Sequence, residues 1–203
     1  MENILGAIDR GLAVTGTIVG RVRADQWSLP TCCTDWDVRA VTNHMVGGFT
    51  LLGGTLTSGR LDGDFDRDWL GSDPTTAYQA AAQAVSTAWQ SPRALLDPVT
   101  LTFGTVPAPL AAVIHLTEVL VHGADIAVAT GAQHLIDDEL CVELLTTMHR
   151  TGIDNFRVPG IFGPAVPVDP QSPAHLRLMA YLVLNDVRYE DGGVVRGDDV
   201  LVA

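Results

Sequence analysis

Basic side chains are scarce in this sequence: 12 Lys+Arg stand against 24 Asp+Glu over 203 residues, a formal net charge of -12. Such a surface repels phosphate-rich partners unless a local basic patch outweighs the overall field, and the sequence holds no such patch. Nucleic acids and anionic membranes are therefore not expected as partners. Long apolar segments are lacking as well: no apolar stretch is expected to reach the roughly 20 residues that a bilayer crossing needs. The N-terminus also lacks the basic-then-apolar order of a secretory signal. The expected location is the cytoplasm. Cysteine is rare: there are three, and two of them, Cys32 and Cys33, are adjacent. That count and spacing exclude a disulfide framework and lead to the expectation of ordinary buried thiols.

What the chain does have is apolar mass. With 47% hydrophobic residues it can bury a core, and its length suits one domain over residues 1–203. From Ile4 to Val22 apolar residues recur at three- and four-residue steps, which predicts a first helix. A proline-containing stretch ends it. Thr34 followed by Asp37 has the form of a capping box, so a second helix is expected from about Asp35 into the Gly47-Gly48 region, with Ser58 as its furthest end. Asp73-Pro74 reads as a cap and first helical position for a third helix, ending near Gln90. Val99, Leu101 and Phe103 alternate with polar residues and glycine, so a short strand or hairpin is expected over Val99 to Val106.

Pro109 opens a fourth helix that is apolar almost all round and stops at Thr130-Gly131. A fifth is expected over Asp138 to Arg150, then a Pro/Gly-rich loop from Val158 to Pro173 whose length fits a lid. A last helix capped by Ser172-Pro173 would run through Asn185, with a turn at Asp191-Gly192-Gly193 between two short strands. The expected class is all-α with minor β, several helices bundled around the apolar fourth one.

Within Leu110 to Thr130 the polar side chains before the closing threonine are His115, Thr117, Glu118, His122 and Asp125. At about 100° per residue, His115, Glu118, His122 and Asp125 share one stripe. Burying them unpaired is costly, so something has to compensate them. Either they are core residues satisfied by hydrogen bonds, or a metal ion ties them together. Glu118 and His122, four residues apart, can point at one centre. His44 on the core side of the second helix offers a third ligand, and this set would leave a position open for water or substrate. Gly47 and Gly48 beside it would admit a close neighbour or loosen the helix end. His115 is either a fourth ligand or a supporting partner, and Asp125 suits a role orienting His122.

The run Thr31 to Gly48, TCCTDWDVRAVTNHMVGG, and the run Glu118 to Asp125, EVLVHGAD, resemble the metal-binding domain of mycothiol-dependent maleylpyruvate isomerases. That domain lies within the wider DinB-like superfamily, and the resemblance covers about residues 3 to 185. It implies a DinB-like four-helix bundle with a long crossover and a divalent metal, usually zinc, at one end. The implied metal ligands are His44, Glu118 and His122. Better-known members use the metal to hold a low-molecular-weight thiol as thiolate, for isomerisation or S-transfer, in actinobacteria. This chain departs from them in two ways. The isomerases have a further C-terminal domain that supplies an active-site arginine, for which this sequence is too short, and here Leu184 to Glu190 run into a strand-like tail. Maleylpyruvate as substrate does not carry over.

The leading expectation is thus a zinc-dependent enzyme, of isomerase or S-transferase type, that uses mycothiol or another small thiol on a small electrophile, as a monomer or homodimer. The alternatives are a thiol-independent Lewis-acid metalloenzyme in a specialised small-molecule pathway, or a non-catalytic protein that binds metal or a small molecule. The acid excess disfavours an anionic substrate unless Arg39, Arg157 or Arg188 lines the pocket. Weaker signals remain. Asp62, Asp64, Asp66, Asp68 and Asp73 follow calcium-loop spacing, but Arg67 stands where glycine is required, so a solvated acidic loop is expected. Cys32 or Cys33 would be redox-active if the second helix lowered a thiol pKa. His149 is expected as filler that could still reach the site, and Trp27, Trp36, Trp69 and Trp89 as core anchors.

Overall fold

Asn3 caps the first helix by accepting a hydrogen bond from the Gly6 amide, and α1 then runs over Ile4–Val19. The computed structural model describes residues 3–33, 35–64, 67–151, 157 and 164–182, and the backbone of 188–190 and 193–195. Along them follow α2 (Val38–Ser58), α3 (Pro74–Trp89), β1 (Val99–Leu101), β2 (Gly104–Val106), α4 (Ala108–Thr130), α5 (Asp138–Thr151), α6 (Ala174–Tyr181), β3 (Arg188–Glu190) and β4 (Gly193–Val195). Both strand pairs are antiparallel hairpins, with Val99 opposite Val106 and Arg188 opposite Val195. The class is all-α with minor β. Residues 191–192 of the expected turn lie outside the described residues, as do 183–187 at the expected end of the last helix and 158–163 of the Pro/Gly-rich loop.

The start of α2 differs from expectation. Asp37 itself is the cap, accepting from the Ala40 amide, and the helix begins at Val38. The preceding segment is held elsewhere: Pro30 and Asp37 form an isolated bridge, and the Val38 and Arg39 amides donate back to Leu29 and Trp27. Asp35, with φ 64, turns the chain into that arrangement. Thr34 lies outside the described residues. Ser172 likewise does not cap α6; Asp138 at the start of α5 accepts the His175 amide instead. By contrast Asp73 caps α3, and Gly131 closes α4 in the left-handed conformation.

Four helices close a ring in which α1 packs on α3 and α4, and α2 packs on the same two. The α1–α2 and α3–α4 connections therefore each lead to the helix diagonally opposite. Glycine makes the α1–α4 approach close: a Cβ on Gly123 would lie 2.5 Å from Thr15 Oγ1, and that hydroxyl donates to the Val119 carbonyl. Leu116, Val119, Ile126 and Ala127 of α4 are wholly buried, and each large side chain so buried contributes about 1.5–3 kcal/mol. By length and composition alone α4 could cross a membrane, which corrects the expectation of no such stretch; 78% of its apolar window is buried inside the protein. His115, Glu118, His122 and Asp125 interrupt the apolar run of α4 but only dilute its mean hydropathy.

Candidate metal centre

One turn of α4 separates Glu118 from His122, and α2 brings His44 to face them. Glu118 Oε2 lies 3.2 Å from His122 Nε2 and 3.4 Å from His44 Nε2. The three donor atoms all fall within 4.8 Å of one another. The two imidazoles meet edge to face with centroids 5.1 Å apart, and Trp36 packs 4.8 Å from His44. Trp36 reaches that place because the bridge before α2 folds its segment back over the helix start. Two imidazole nitrogens and one carboxylate oxygen are a donor set suited to a divalent ion such as zinc, with a position left for another ligand. The Glu118 side chain is 40% exposed, so this side of the cluster opens outward.

Behind His122 stands Asp125, 2% exposed, with Oδ2 3.0 Å from His122 Nδ1. That contact orients the ring and turns Nε2 toward His44 and Glu118. Cys33 adds its thiol 3.2 Å from the same Asp125 oxygen. Burial opposes charge on His122, yet its hydrogen bonds with Asp125, Cys33 and Glu118 outweigh burial and raise its pKa well above the ordinary value. Burial also opposes the charge on Glu118, and the hydrogen bonds of both histidines outweigh it and hold the carboxylate far below its usual range. A cation placed here competes with protons for the same lone pairs.

The thiols behave opposite to a redox-active pair. Burial and the charge of Asp125 push Cys33 up to about 11 and Cys32 up to about 12, which overrides any lowering by the α2 N-terminus. Cys33 is also more than a buried filler thiol, since it joins a second group of close donor atoms with His122 and Asp125.

His115 shares the stripe but not the cluster. Its Nδ1 accepts a 2.9 Å hydrogen bond from Trp89 Nε1, and its Nε2 has no partner among the described residues. Arg39 pairs with Asp68 and the Gly71 carbonyl, and Arg157 sits over Tyr181; the Arg188 side chain lies outside the described residues. His149 packs on Tyr181. Asp68 accepts the Leu70 and Gly71 amides and Asp73 caps α3, so these carboxylates serve the loop, while Asp66 lies outside the described residues. Of the tryptophans, Trp89 is a core anchor at 1% exposure. Trp69 lies against Gly47, where a Cβ would come within 2.7 Å of its indole nitrogen.

The cluster opens onto an apolar pocket to which His44 and Glu118 contribute. Its walls include Met45, Gly48 and Phe49 of α2, Leu101 and Phe103 of the first hairpin, and Ile114 and His115 of α4. Among the described residues neither Lys nor Arg is in the lining. Phe103, 55% exposed, sits at the hairpin tip beside the opening.

A model of the mycothiol maleylpyruvate isomerase N-terminal domain matches residues 9–127. Two uncharacterized proteins, from two strains of Mycobacterium tuberculosis, are each 31% identical over 179 residues, 88% of this chain and 96% of the relative. No solved structure matches this chain.

Proposed function

Because the chain belongs to the mycothiol maleylpyruvate isomerase N-terminal domain family, we propose that it is a divalent-metal-dependent enzyme that brings a small thiol of the mycothiol type to a small electrophile, as an isomerase or S-transferase. The observation that carries this reading is the convergence of His44 Nε2, Glu118 Oε2 and His122 Nε2 beside an apolar pocket that His44 and Glu118 help to line. Zinc held there would supply a positive charge that favours the thiolate form of a thiol. The chain's own residues do the rest. Asp125 fixes the His122 ring, Trp36 packs against the His44 ring, and Met45 and Phe49 offer the electrophile an apolar surface.

Maleylpyruvate, a dicarboxylate, suits this pocket poorly, since among the described residues the lining carries Glu118 and neither Lys nor Arg. The setting we assign is the cytoplasm, with the protein as monomer or homodimer and with no nucleic acid or membrane as partner.

Metal quantification on purified wild type and His44→Ala tests the centre. About one equivalent should fall to near none, because loss of one of three ligands removes most of the affinity; full stoichiometry in the variant would sink the assignment. Calorimetric titration with mycothiol, with and without zinc, tests the thiol. Binding that needs the metal supports the reading, while equal binding without it favours a thiol-independent Lewis-acid site.

A further inference from the structure

The imidazole of His122 has two nitrogens, and the fold gives each its own partners. Nε2 faces Glu118 Oε2 at 3.2 Å and belongs to the group completed by His44. Nδ1, on another edge of the ring, lies 3.0 Å from Asp125 Oδ2 and 3.9 Å from Cys33 Sγ. Cys33 Sγ in turn lies 3.2 Å from that same Asp125 oxygen, so thiol, carboxylate and imidazole form a closed triangle of donor atoms. Around a tetrahedral ion with metal–sulfur at about 2.3 Å and metal–nitrogen and metal–oxygen at about 2.0–2.2 Å, donors stand roughly 3.3–3.7 Å apart. The three separations bracket that range, and small side-chain movements close the triangle on an ion.

Sulfur is the informative member. A thiol is a weak hydrogen-bond donor, and Asp125 already has His122 as a partner, so a hydroxyl would hold the carboxylate better. Thiolate sulfur is, however, a preferred ligand of soft cations. The backbone of Cys33 is also pinned. Its amide donates to Thr31 Oγ1 at 3.1 Å, its carbonyl accepts the Trp36 amide at 3.1 Å, and the Thr31 hydroxyl donates to the Trp36 carbonyl at 2.8 Å. Those bonds set the sulfur beside Asp125 before any ion arrives. Asp125 is buried and Cys33 half-buried, so the outermost of these two donors is the thiol.

We propose that Cys33 Sγ, Asp125 Oδ2 and His122 Nδ1 form a second cation site, for a soft thiophilic ion, whose occupation excludes zinc from the first. On binding, the ion takes a sulfur lone pair and the thiol proton leaves to solvent. The exclusion follows from the shared imidazole, whose neutral form carries one hydrogen. With zinc on Nε2 that hydrogen sits on Nδ1 and donates to Asp125; with a soft ion on Nδ1 it sits on Nε2 and donates to Glu118. Both ions together would require an imidazolate. Zinc, a borderline ion, is served by the nitrogen and carboxylate donors of the first group, whereas a soft ion gains most from sulfur. The inference goes beyond the proposed reaction and rests on it only for the competing zinc.

Cadmium is the probe, on the full chain, read by the ultraviolet thiolate-to-cadmium absorption band that appears only when sulfur binds the ion. Wild type should develop the band, and so should Cys32→Ser and His44→Ala; Cys33→Ser should not. In wild type, zinc at about ten times its own dissociation constant should raise the cadmium needed for half the band about tenfold. In His44→Ala, which lacks a zinc ligand, the same zinc should change nothing. A wild type without the band would overturn the proposal whether or not the variants fold, and so would a band that survives in Cys33→Ser. A band indifferent to zinc, in a wild type shown to hold zinc, would overturn the exclusion and the proposal with it. A wild type that takes up no zinc yet forms a band lost in Cys33→Ser would support the second site while counting against the zinc centre.

Discussion

Asp125 stands behind His122, and in the proposed metal centre its charge would decide how well that imidazole serves as a ligand. With Oδ2 3.0 Å from Nδ1 and the side chain almost wholly buried, it fixes the ring and strengthens the basicity of Nε2. Asp125→Asn keeps the shape and removes the charge, and zinc affinity should drop about 10–100-fold. Competition against a chromophoric chelator measures it, and an unchanged affinity would separate Asp125 from the site. His115 makes a different kind of statement at the same scale. Its folded pKa of about 4 lies below the ordinary 6.5, so between these values the unfolded chain binds a proton that the folded chain refuses. Stability from this residue is therefore full above pH 6.5 and is lost as pH falls toward 4, by about 3 kcal/mol over the window. His115→Phe should be less stable at pH 7, since Trp89 loses its acceptor, but should show a flatter decline between pH 6.5 and 4.5 in urea unfolding. Parallel pH profiles for the two proteins would contradict the assignment.

At the level of helices, the parts of the site that lie within one element were legible and those that join elements were not. Glu118 and His122 sit four residues apart on one stripe, and the core side of α2 pointed to His44. Nothing local tied Cys33 to Asp125 across 92 residues or Trp89 to His115 across 26; both pairs exist only because α2 and α3 dock where they do. Helix ends divide the same way. Gly131 and Asp73 act through their own backbone neighbourhood and were readable, whereas the α2 start is set by the bridge from Asp37 to Pro30 and the α6 start by Asp138. The paired glycines of α2 separate packing from function. A Cβ on Gly48 or Gly54 would meet nothing within 4 Å, but Gly48 lines the pocket and Gly54 does not. Gly48→Ala and Gly54→Ala should each raise stability by about 0.5–1 kcal/mol through lower chain entropy in the unfolded state. In the calorimetric titration of zinc-loaded protein with mycothiol only Gly48→Ala should weaken binding. Equal binding by both variants would place the ligand away from this wall.

Across the whole molecule, the all-α class could be read from periodicity, but the ring order could not. Which helices touch depends on close approaches such as Thr15 against Gly123 and Leu116 against Gly11, and those are properties of pairs rather than of patterns. In that ring α2 and α4 are neighbours, and the proposed metal ligands lie on both, His44 on one and Glu118 and His122 on the other. A cation held by all three would bind the folded chain and not the unfolded one, so it adds stability by mass action. At about 100 times its dissociation constant, zinc should contribute about 2.7 kcal/mol, which for a chain of this size raises the melting temperature by roughly 5–10 °C. The shift should grow with the logarithm of zinc concentration and be absent in His44→Ala, because the remaining pair sits on α4 alone and no longer clamps two helices. A scanning-calorimetry series that shows the same rise in wild type and variant would mean that zinc stabilises the fold somewhere else, and a wild type indifferent to zinc would mean that the three side chains hold each other by hydrogen bonds alone.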